Sequence, residues 1–418
     1  MKTQQQTPTA RTLAILSSVP VIMVLGNSML IPVLPAISRT LQVSPFQVSL
    51  LITLFSIPAA ITIPLAGILS DRIGRKKVIA VGLLLYGAGG LLAGLASIWG
   101  DGSYIAILLS RILQGIGAAG TAPIAMVLTS DLYQQEKRSE ALGIIEAANA
   151  MGKVLSPILG SILGLISWYA MFFLFPILTL PIILLLWYQI EESIHTQGLP
   201  LHQYKKNIKK IFRVHGRWLF ISFASGSIVL FSLFGVLFYI SDYLEKTFHL
   251  VGVGKGIYLS IPLLSLSAVS YWTGKQIGHS AFLTKRFIIG GLGVIALSLL
   301  LLPWFTKLYL LLSITALMGL GSGLVLPCLN TMITSAIGLQ ERGIITSLYG
   351  SVRFLGVALG PPIYGALISS PKLLFIGNAT ILLIAIFFSY HLIENPQHLR
   401  GKNGHSRLLL RKKRLYSP

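Results

Sequence analysis

Twelve apolar stretches of about 20 residues dominate this 418-residue chain. A helix needs about 20 apolar residues to cross a bilayer core about 30 Å thick, so each stretch predicts one membrane-spanning helix. Only 11% of the residues are charged, against about 25% in soluble domains. We therefore predict an all-α membrane protein embedded in a lipid bilayer. Its predicted spans, numbered 1 to 12, are 13–35, 46–69, 78–98, 103–129, 141–165, 168–190, 218–241, 253–273, 287–305, 308–336, 343–369 and 373–393.

The basic residues predict how the chain is oriented. Its net charge is +21, from 33 Lys and Arg against 12 Asp and Glu. With a cytoplasmic N-terminus, 25 basic residues fall on inner segments, as the positive-inside rule requires. Only five fall on outer segments, namely Arg39, Lys246, Lys255, Lys307 and Lys372. We expect a multi-pass protein of the cell membrane with both termini in the cytoplasm. Because the bases are spread over seven short segments, a nucleic-acid partner is disfavoured.

The two halves of the chain match at a constant offset of 204 residues. The glycine-rich segment 115–123 corresponds to 319–327, and Pro157 corresponds to Pro361. Two six-helix halves in the same orientation are the parallel repeats of a class of secondary transporters. The predicted parts are a six-helix bundle at 1–195, a basic cytoplasmic linker at 196–217, a second bundle at 218–395 and a basic cytoplasmic tail at 396–418. The linker and tail fit either helices lying on the inner leaflet or solvated segments.

The loop between spans 2 and 3 carries the most specific motif. It reads Gly67-Ile-Leu-Ser-Asp71-Arg-Ile-Gly74-Arg75-Lys-Lys and resembles motif A of the major facilitator superfamily. The resemblance implies that the aspartate contacts the N-terminus of span 11 and controls the conformational balance. Asp131 and Arg138 resemble the charge cluster that accompanies this motif. The predicted conformational latch therefore comprises Gly67, Asp71, Gly74, Arg75, Asp131 and Arg138. A plain positive-inside loop explains the bases but not the aspartate with both glycines.

Span 4 contains an arginine within its apolar stretch. Arg111, Gln114 and the glycines that follow resemble motif B of the same family. An arginine in hydrocarbon must be paired or hydrated, so Arg111 is expected to face the protein interior or a cavity. The resemblance gives it a part in proton transfer, through the effect of its charge on a neighbouring carboxyl group. A structural role in tying helix ends together is the alternative.

Span 5 carries a pattern of small residues around a proline. Gly143, Gly152, Ser156, Pro157 and Gly160 resemble the antiporter motif C, with serine at two of its glycine positions. Small residues let neighbouring helices approach closely. Together with the Leu-Gly and Pro-Val-Leu-Pro residues of span 1, this motif indicates the twelve-helix drug:proton antiporter branch of the superfamily.

Few of the twelve acidic residues are suited to carry protons across the bilayer. Most of them fall in loops or at helix ends, whereas Glu146 sits well inside span 5 and Asp242 lies at the outer end of span 7. Glu146, Asn149 and Lys153 share one helix face. The predicted proton-coupling residues are Glu146, Arg111 and Asp242. The alternative for Glu146 is a fixed counter-ion of an intramembrane base.

A substrate pocket is expected to combine apolar and aromatic walls with a few polar groups. The candidates are Asn27, Gln114, Asn149, Lys153, Phe231, Tyr239 and Asn330. Each is also a residue type found in ordinary helix packing.

These patterns predict a proton-coupled secondary transporter that exports small amphipathic compounds, as in multidrug efflux, by alternating access. The alternatives are a dedicated exporter of one metabolite such as a siderophore, and proton-coupled uptake. Neither an HExxH nor a GxSxG motif occurs and no P-loop is present, so we expect neither an enzyme nor ATP as energy source. We expect no cofactor and no metal. The family resemblance implies a monomer.

Overall fold

The computed structural model describes residues 10–99, 103–133, 135–190, 201–279, 281–336, 339–393, 397–400 and 406–409. Within these residues the α-helices are Ala10–Ser28, Leu34–Thr40, Pro45–Ile73, Arg75–Ile98, Ser103–Ala119, Ala122–Leu132, Gln135–Ile166, Ala170–Gln189, Leu201–Phe248, Gly252–His279, Ala281–Leu301, Leu308–Ala336, Leu339–Ala366 and Pro371–Leu392. Two short 3-10 helices cover Ile31–Val33 and Leu302–Trp304. Two strands, Gln397–Arg400 and Ser406–Leu409, pair antiparallel in the tail and were not predicted.

Twelve spans in the described residues are long and apolar enough to cross a membrane, which confirms the predicted number. Their bounds are Ala10–Thr40, Pro45–Ile73, Arg75–Ile98, Ser103–Leu132, Glu140–Ile166, Ala170–Gln189, Gly216–Phe248, Gly252–Ile277, Leu283–Trp304, Leu308–Thr334, Gly343–Ala366 and Pro371–Leu392. We call the side of the motif A loop the inner side of the protein and the opposite side the outer side.

Span 7 belongs to a helix that begins at Leu201. Residues 201–217 of the predicted linker are therefore helical and lead directly into this span. Residues 196–200 of the linker, and most of the predicted tail, lie outside the described residues. Span 1 is interrupted by the 3-10 helix at Ile31–Val33, where Pro32 has no backbone N–H to continue the helix.

The chain forms two compact units. The first consists of Met1–Leu199, Phe234–Ser260 and Val357–Ile368, and the second of Pro200–Leu233, Ile261–Gly356 and Ser369–Pro418. The first unit thus joins spans 1 to 6 to the outer ends of spans 7, 8 and 11. The predicted boundaries of two six-helix bundles stay a prediction.

Glycines bring spans 2, 3 and 4 into close contact in the first unit. A Cβ atom on Gly115 would lie 2.1 Å from the carbonyl oxygen of Phe55, and one on Gly117 would lie 2.4 Å from the amide nitrogen of Tyr86. No larger side chain fits at these positions without moving a neighbouring backbone.

The second unit repeats this packing at the offset seen in the sequence. A Cβ atom on Gly319, the counterpart of Gly115, would lie 2.1 Å from the carbonyl oxygen of Pro262. One on Gly321 would lie 2.7 Å from the carbonyl oxygen of Gly291. The glycines of the two repeats therefore serve the same purpose, which is close contact of spans 4 and 10 with the two spans before each of them.

Two glycines of the span 5 motif differ sharply in their surroundings and provide a test. Replacing Gly160 by alanine would put a Cβ atom 2.1 Å from the carbonyl oxygen of Met29, so spans 1 and 5 must move apart. We expect Gly160→Ala to lower the free energy of unfolding by about 1–3 kcal/mol. Gly143 has nothing within 4 Å, so Gly143→Ala should leave stability unchanged or raise it. Thermal denaturation of both purified variants measures the difference, and equal melting temperatures would contradict it.

Candidate functional site

Arg111 is fully buried in the first unit, and its hydrogen bonds go to neutral groups. Its Nε donates to the backbone carbonyl of Leu51 at 2.9 Å. Its two Nη atoms donate to the side-chain oxygens of Asn27 at 2.7 Å and Gln114 at 2.5 Å. The guanidinium carbon lies 4.4 Å from the ring centroid of Phe55. Spans 1, 2 and 4 thus each supply an acceptor for one buried cation.

This network changes the expectation for two predicted pocket residues. Asn27 and Gln114 are only 5% and 0% exposed, and both accept hydrogen bonds from the Arg111 guanidinium. The amide of Asn27 also donates to the Ser56 hydroxyl at 2.8 Å. In the described part of the chain no carboxylate forms an ion pair with Arg111. The positive charge is instead stabilised by the dipoles of one backbone carbonyl and two side-chain amides. The carboxyl group that we expected beside Arg111 is therefore not found there.

The polar strip predicted on span 5 is partly formed. The Asn149 amide nitrogen lies 3.5 Å from a carboxylate oxygen of Glu146, which is a long hydrogen bond. Glu146 is exposed although it lies inside the span, and Lys153 is partly exposed. The strip is thus accessible, and the proton-coupling role of Glu146 stays a prediction.

The serine that replaces a motif C glycine remains compatible with close packing. The Ser156 hydroxyl donates to the carbonyl of Gly152, one turn earlier, at 2.5 Å, so its polar group is satisfied within span 5. A Cβ atom on Gly152 would lie 3.4 Å from Val21, which is ordinary contact with span 1. Pro157 lies inside the helix, as predicted. Span 5 therefore packs on span 1 despite the departures from the motif.

An ion-pair cluster joins the outer ends of spans 1, 7 and 8 within the first unit. Lys255 is only 1% exposed, and its Nζ donates to a carboxylate oxygen of Glu245 at 2.7 Å. The other carboxylate oxygen of Glu245 pairs with Arg39, at the outer end of span 1. One turn earlier on span 7, Asp242 pairs with Lys246 at 2.9 Å. We call Arg39, Glu245 and Lys255 the outer ion-pair cluster.

Uncharged hydrogen bonds reinforce these outer contacts. The Ser241 hydroxyl donates to the carbonyl of Ile31 at 2.6 Å, connecting span 7 to span 1. The Ser260 hydroxyl of span 8 donates to the Val154 carbonyl of span 5 at 2.7 Å. In the same way Thr53 of span 2 donates to the carbonyl of Ala358 in span 11 at 2.7 Å. Each bond joins a helix of the first repeat to one of the second.

The inner charges of the predicted latch converge on Arg75. Its guanidinium pairs with Asp71 at 2.9 Å and also with Asp131. Gly74, which precedes it, has φ +104°, a backbone conformation that favours glycine. Asp131 pairs with Arg75, whereas Arg138 is exposed, and the latch role of these residues stays a prediction. The sixth predicted latch residue, Gly67, lies in the helix of span 2.

The remaining pocket candidates belong to different units. Phe231 is partly exposed and Asn330 is exposed, and both lie in the second unit. Tyr239 lies in the first unit, with its ring stacked on Tyr243 at a centroid distance of 5.8 Å. Their place in one substrate pocket stays a prediction.

Comparison with known proteins assigns the fold to a family. A family model described as the Major Facilitator Superfamily matches residues 16–284 and 280–417, which together cover most of the chain. The chain belongs to the major facilitator superfamily. As a member of this superfamily it is a membrane-embedded transporter of small molecules and not an enzyme.

Members of the superfamily with curated names cover nearly all of the chain. It is 43% identical over 392 residues to the bacillibactin exporter of Bacillus subtilis (strain 168), covering 93% of this chain and 98% of that protein. It is 27% identical over 355 residues to multidrug resistance protein 2 of the same organism, covering 82% and 85%. The crystal structure of a D-xylose–proton symporter matches with a TM-score of 0.76 at 14% identity, covering 92% and 98%, which supports the fold alone.

The buried pairing of two charged residues, Lys255 and Glu245, was not predicted from the sequence. We counted Lys255 with the outer loops and Glu245 with the helix ends, yet the structure brings them together in a buried pair. One signal was available, because the predicted span 8 at 253–273 already contained Lys255. A lysine inside a span needs a partner, and Glu245 is the acidic residue nearest to it in the sequence.

Proposed function

We propose that this transporter exports a siderophore in exchange for protons. The observation that carries the proposal is the 43% identity to a bacillibactin exporter, which extends over nearly the full length of both chains. The relative named for multidrug resistance is more distant, at 27% identity, and supports broad drug efflux less strongly. Of the functions predicted from the sequence, the dedicated metabolite exporter is therefore favoured over multidrug efflux.

The proposed transporter lies in the cell membrane as a monomer, with both termini in the cytoplasm. It works by alternating access, in which each side of the protein opens in turn. The outer ion-pair cluster holds the outer ends of spans 1, 7 and 8 together, and must break for release to the outside. On the inner side, the pairing of Arg75 with Asp71 and Asp131 stabilises the latch.

The proposed substrate is tested by transport in proteoliposomes that contain the full chain. A pH gradient is imposed, with the acidic side facing the outer surface of the protein, and the flux of bacillibactin is compared with that of ethidium. We expect gradient-driven movement of bacillibactin toward the acidic side and little movement of ethidium. Ethidium flux without bacillibactin flux would contradict siderophore export and favour multidrug efflux.

Glu146 is proposed to carry the coupled proton because it is the acidic residue well inside span 5 and is accessible. We expect Glu146→Gln to reduce gradient-driven flux at least tenfold, while exchange of substrate without a gradient continues. Glu140→Gln is the matched control, since Glu140 is an exposed carboxylate on the same helix. Full gradient-driven flux in the Glu146→Gln variant would rule out coupling through this residue.

A further inference from the structure

Arg353 is a cation near the middle of a membrane span. Span 11 runs from Gly343 to Ala366, so Arg353 lies about 15 Å along the helix from one end and about 20 Å from the other. A charged residue at this depth is costly unless it is paired or hydrated, and it commonly marks a substrate or ion pathway. Nothing in the mechanism above uses this residue.

The unit that contains Arg353 offers no counter-ion within its spans. In the sequence segments of the second unit only two residues are acidic, Glu341 and Glu394. Glu341 precedes span 11, about 18 Å along the chain from Arg353, and Glu394 follows span 12. Across the described residues, Arg353 forms no ion pair with a carboxylate.

Two hydrogen-bond donors at this position have no acceptor in the described residues. The Nε of Arg353 and the hydroxyl of Tyr349, one turn earlier, are both buried and lack a partner. Leaving such a group unsatisfied costs about 1–3 kcal/mol, and more when it is charged. Arg353 as a whole is partly exposed.

One aromatic ring lies beside the cation, and a second ring packs against the first. The guanidinium carbon of Arg353 lies 5.4 Å from the ring centroid of Tyr349. The Tyr349 ring in turn lies 5.5 Å from that of Phe223 on span 7. Gly226 makes room for this arrangement, because a Cβ atom there would lie 2.6 Å from the Tyr349 hydroxyl. A cation beside a pair of packed rings suits an anion attached to an apolar or aromatic body.

The internal repeat also indicates that Arg353 occupies a functional position. At the offset of 204 residues, Arg353 is the counterpart of Asn149, which lies on the accessible strip of span 5 together with Glu146. The two repeats thus carry polar side chains at equivalent positions of spans 5 and 11.

We propose that Arg353 binds an oxyanion of the transported molecule, a carboxylate or a phenolate. The guanidinium group donates hydrogen bonds to the anion in a planar fork, and the Tyr349 hydroxyl is a second donor. The rings of Tyr349 and Phe223 contact the apolar part of the molecule. This inference rests on the proposed function, since it names the chemical class of the exported substrate as anionic.

The test compares pairs of probes that differ in charge but little in shape. Binding of 1-naphthoate and neutral 1-naphthamide is measured by calorimetry on the purified full chain, and the pair 4-nitrophenolate and 4-nitroanisole is measured at pH 8.5. We expect the anion to bind at least tenfold more tightly than its neutral partner in one or both pairs. The pair that shows this difference tells whether a carboxylate or a phenolate is recognised. Arg353→Gln should abolish that preference without weakening binding of the neutral probe, and Arg353→Lys should keep part of it.

Lys372→Gln is the matched control, because Lys372 is an exposed cation 4.9 Å from the ring centroid of Trp304 in the same unit. It should retain the preference for anions. If Arg353→Gln does not fold, Tyr349→Phe removes the second donor and is expected to weaken anion binding severalfold. An unchanged anion preference in Arg353→Gln, or its absence in the wild-type chain, would overturn the inference.

The two proposals fail in different ways. A wild-type chain that binds naphthoate through Arg353 but moves no bacillibactin contradicts siderophore export. A chain that exports bacillibactin while Arg353→Gln keeps its affinity for both anions contradicts the role of Arg353.

Discussion

Replacing Glu245 by glutamine is expected to lower the free energy of unfolding by about 3–5 kcal/mol, because removal of one partner leaves a buried charge uncompensated. Lys255 is the charge left behind, with its side chain only 2% exposed and Glu245 as its carboxylate partner at 2.7 Å. The neutral amide of glutamine accepts a hydrogen bond but does not balance the ammonium charge. Thermal and denaturant unfolding of the purified protein measures the loss.

Two further variants separate the ion pair from other causes. Asp242→Asn breaks the pair with Lys246 on the same helix. Because that lysine is 65% exposed, the free energy of unfolding should change by less than about 1 kcal/mol. The double variant Glu245→Leu with Lys255→Met replaces the buried pair by apolar groups and should recover most of the lost stability. Equal losses in Glu245→Gln and Asp242→Asn would contradict the importance of burial at this cluster.

Arg111→Met is expected to abolish transport and to destabilise the first unit. Without the guanidinium group, the buried carbonyl of Leu51 and the side-chain oxygen of Asn27 lose a charged donor. Each unsatisfied buried acceptor costs about 1–3 kcal/mol. Arg111→Lys should recover only part of the loss, because an ammonium group lacks the planar fork that reaches acceptors on spans 1 and 2. Proteoliposome flux and melting temperature, measured together, test both effects.

A double-mutant cycle isolates the contact between spans 1 and 4. Removing Asn27 and Arg111 together, as Asn27→Leu with Arg111→Met, should cost less than the sum of the single changes, because no group of that bond is then left unpaired. Strict additivity would contradict a direct energetic link. Full transport by Arg111→Met would exclude an essential role for this cation.

Most of the architecture was predictable from composition and spacing. The twelve spans were recognisable because a bilayer demands long apolar helices, and that demand acts on each stretch of sequence separately. Burial of Arg111 was also predictable, since an arginine within an apolar span must face the protein interior. The motif glycines indicated close packing, but only the structure distinguishes Gly160, which contacts the Met29 backbone, from Gly143, which has open space around it.

The partners of the charged residues were not predictable in the same way. Asn27 and Gln114 were expected in a substrate pocket, yet both bind Arg111. Asp131 pairs with Arg75, and Glu146 is exposed although it lies inside span 5. In each case the rotation of one helix against another decided the contact.

The sequence by itself determined the membrane location, the number of spans, the repeat and the family motifs, because hydrophobicity and local spacing follow from neighbouring residues alone. Only the tertiary structure decided which charges are paired. The outer ion-pair cluster joins residues from three separate segments, and Arg353 lacks a carboxylate partner among the described residues. Such pairing depends on distances between spans far apart in the chain, and the free energy of a buried charge depends on those distances.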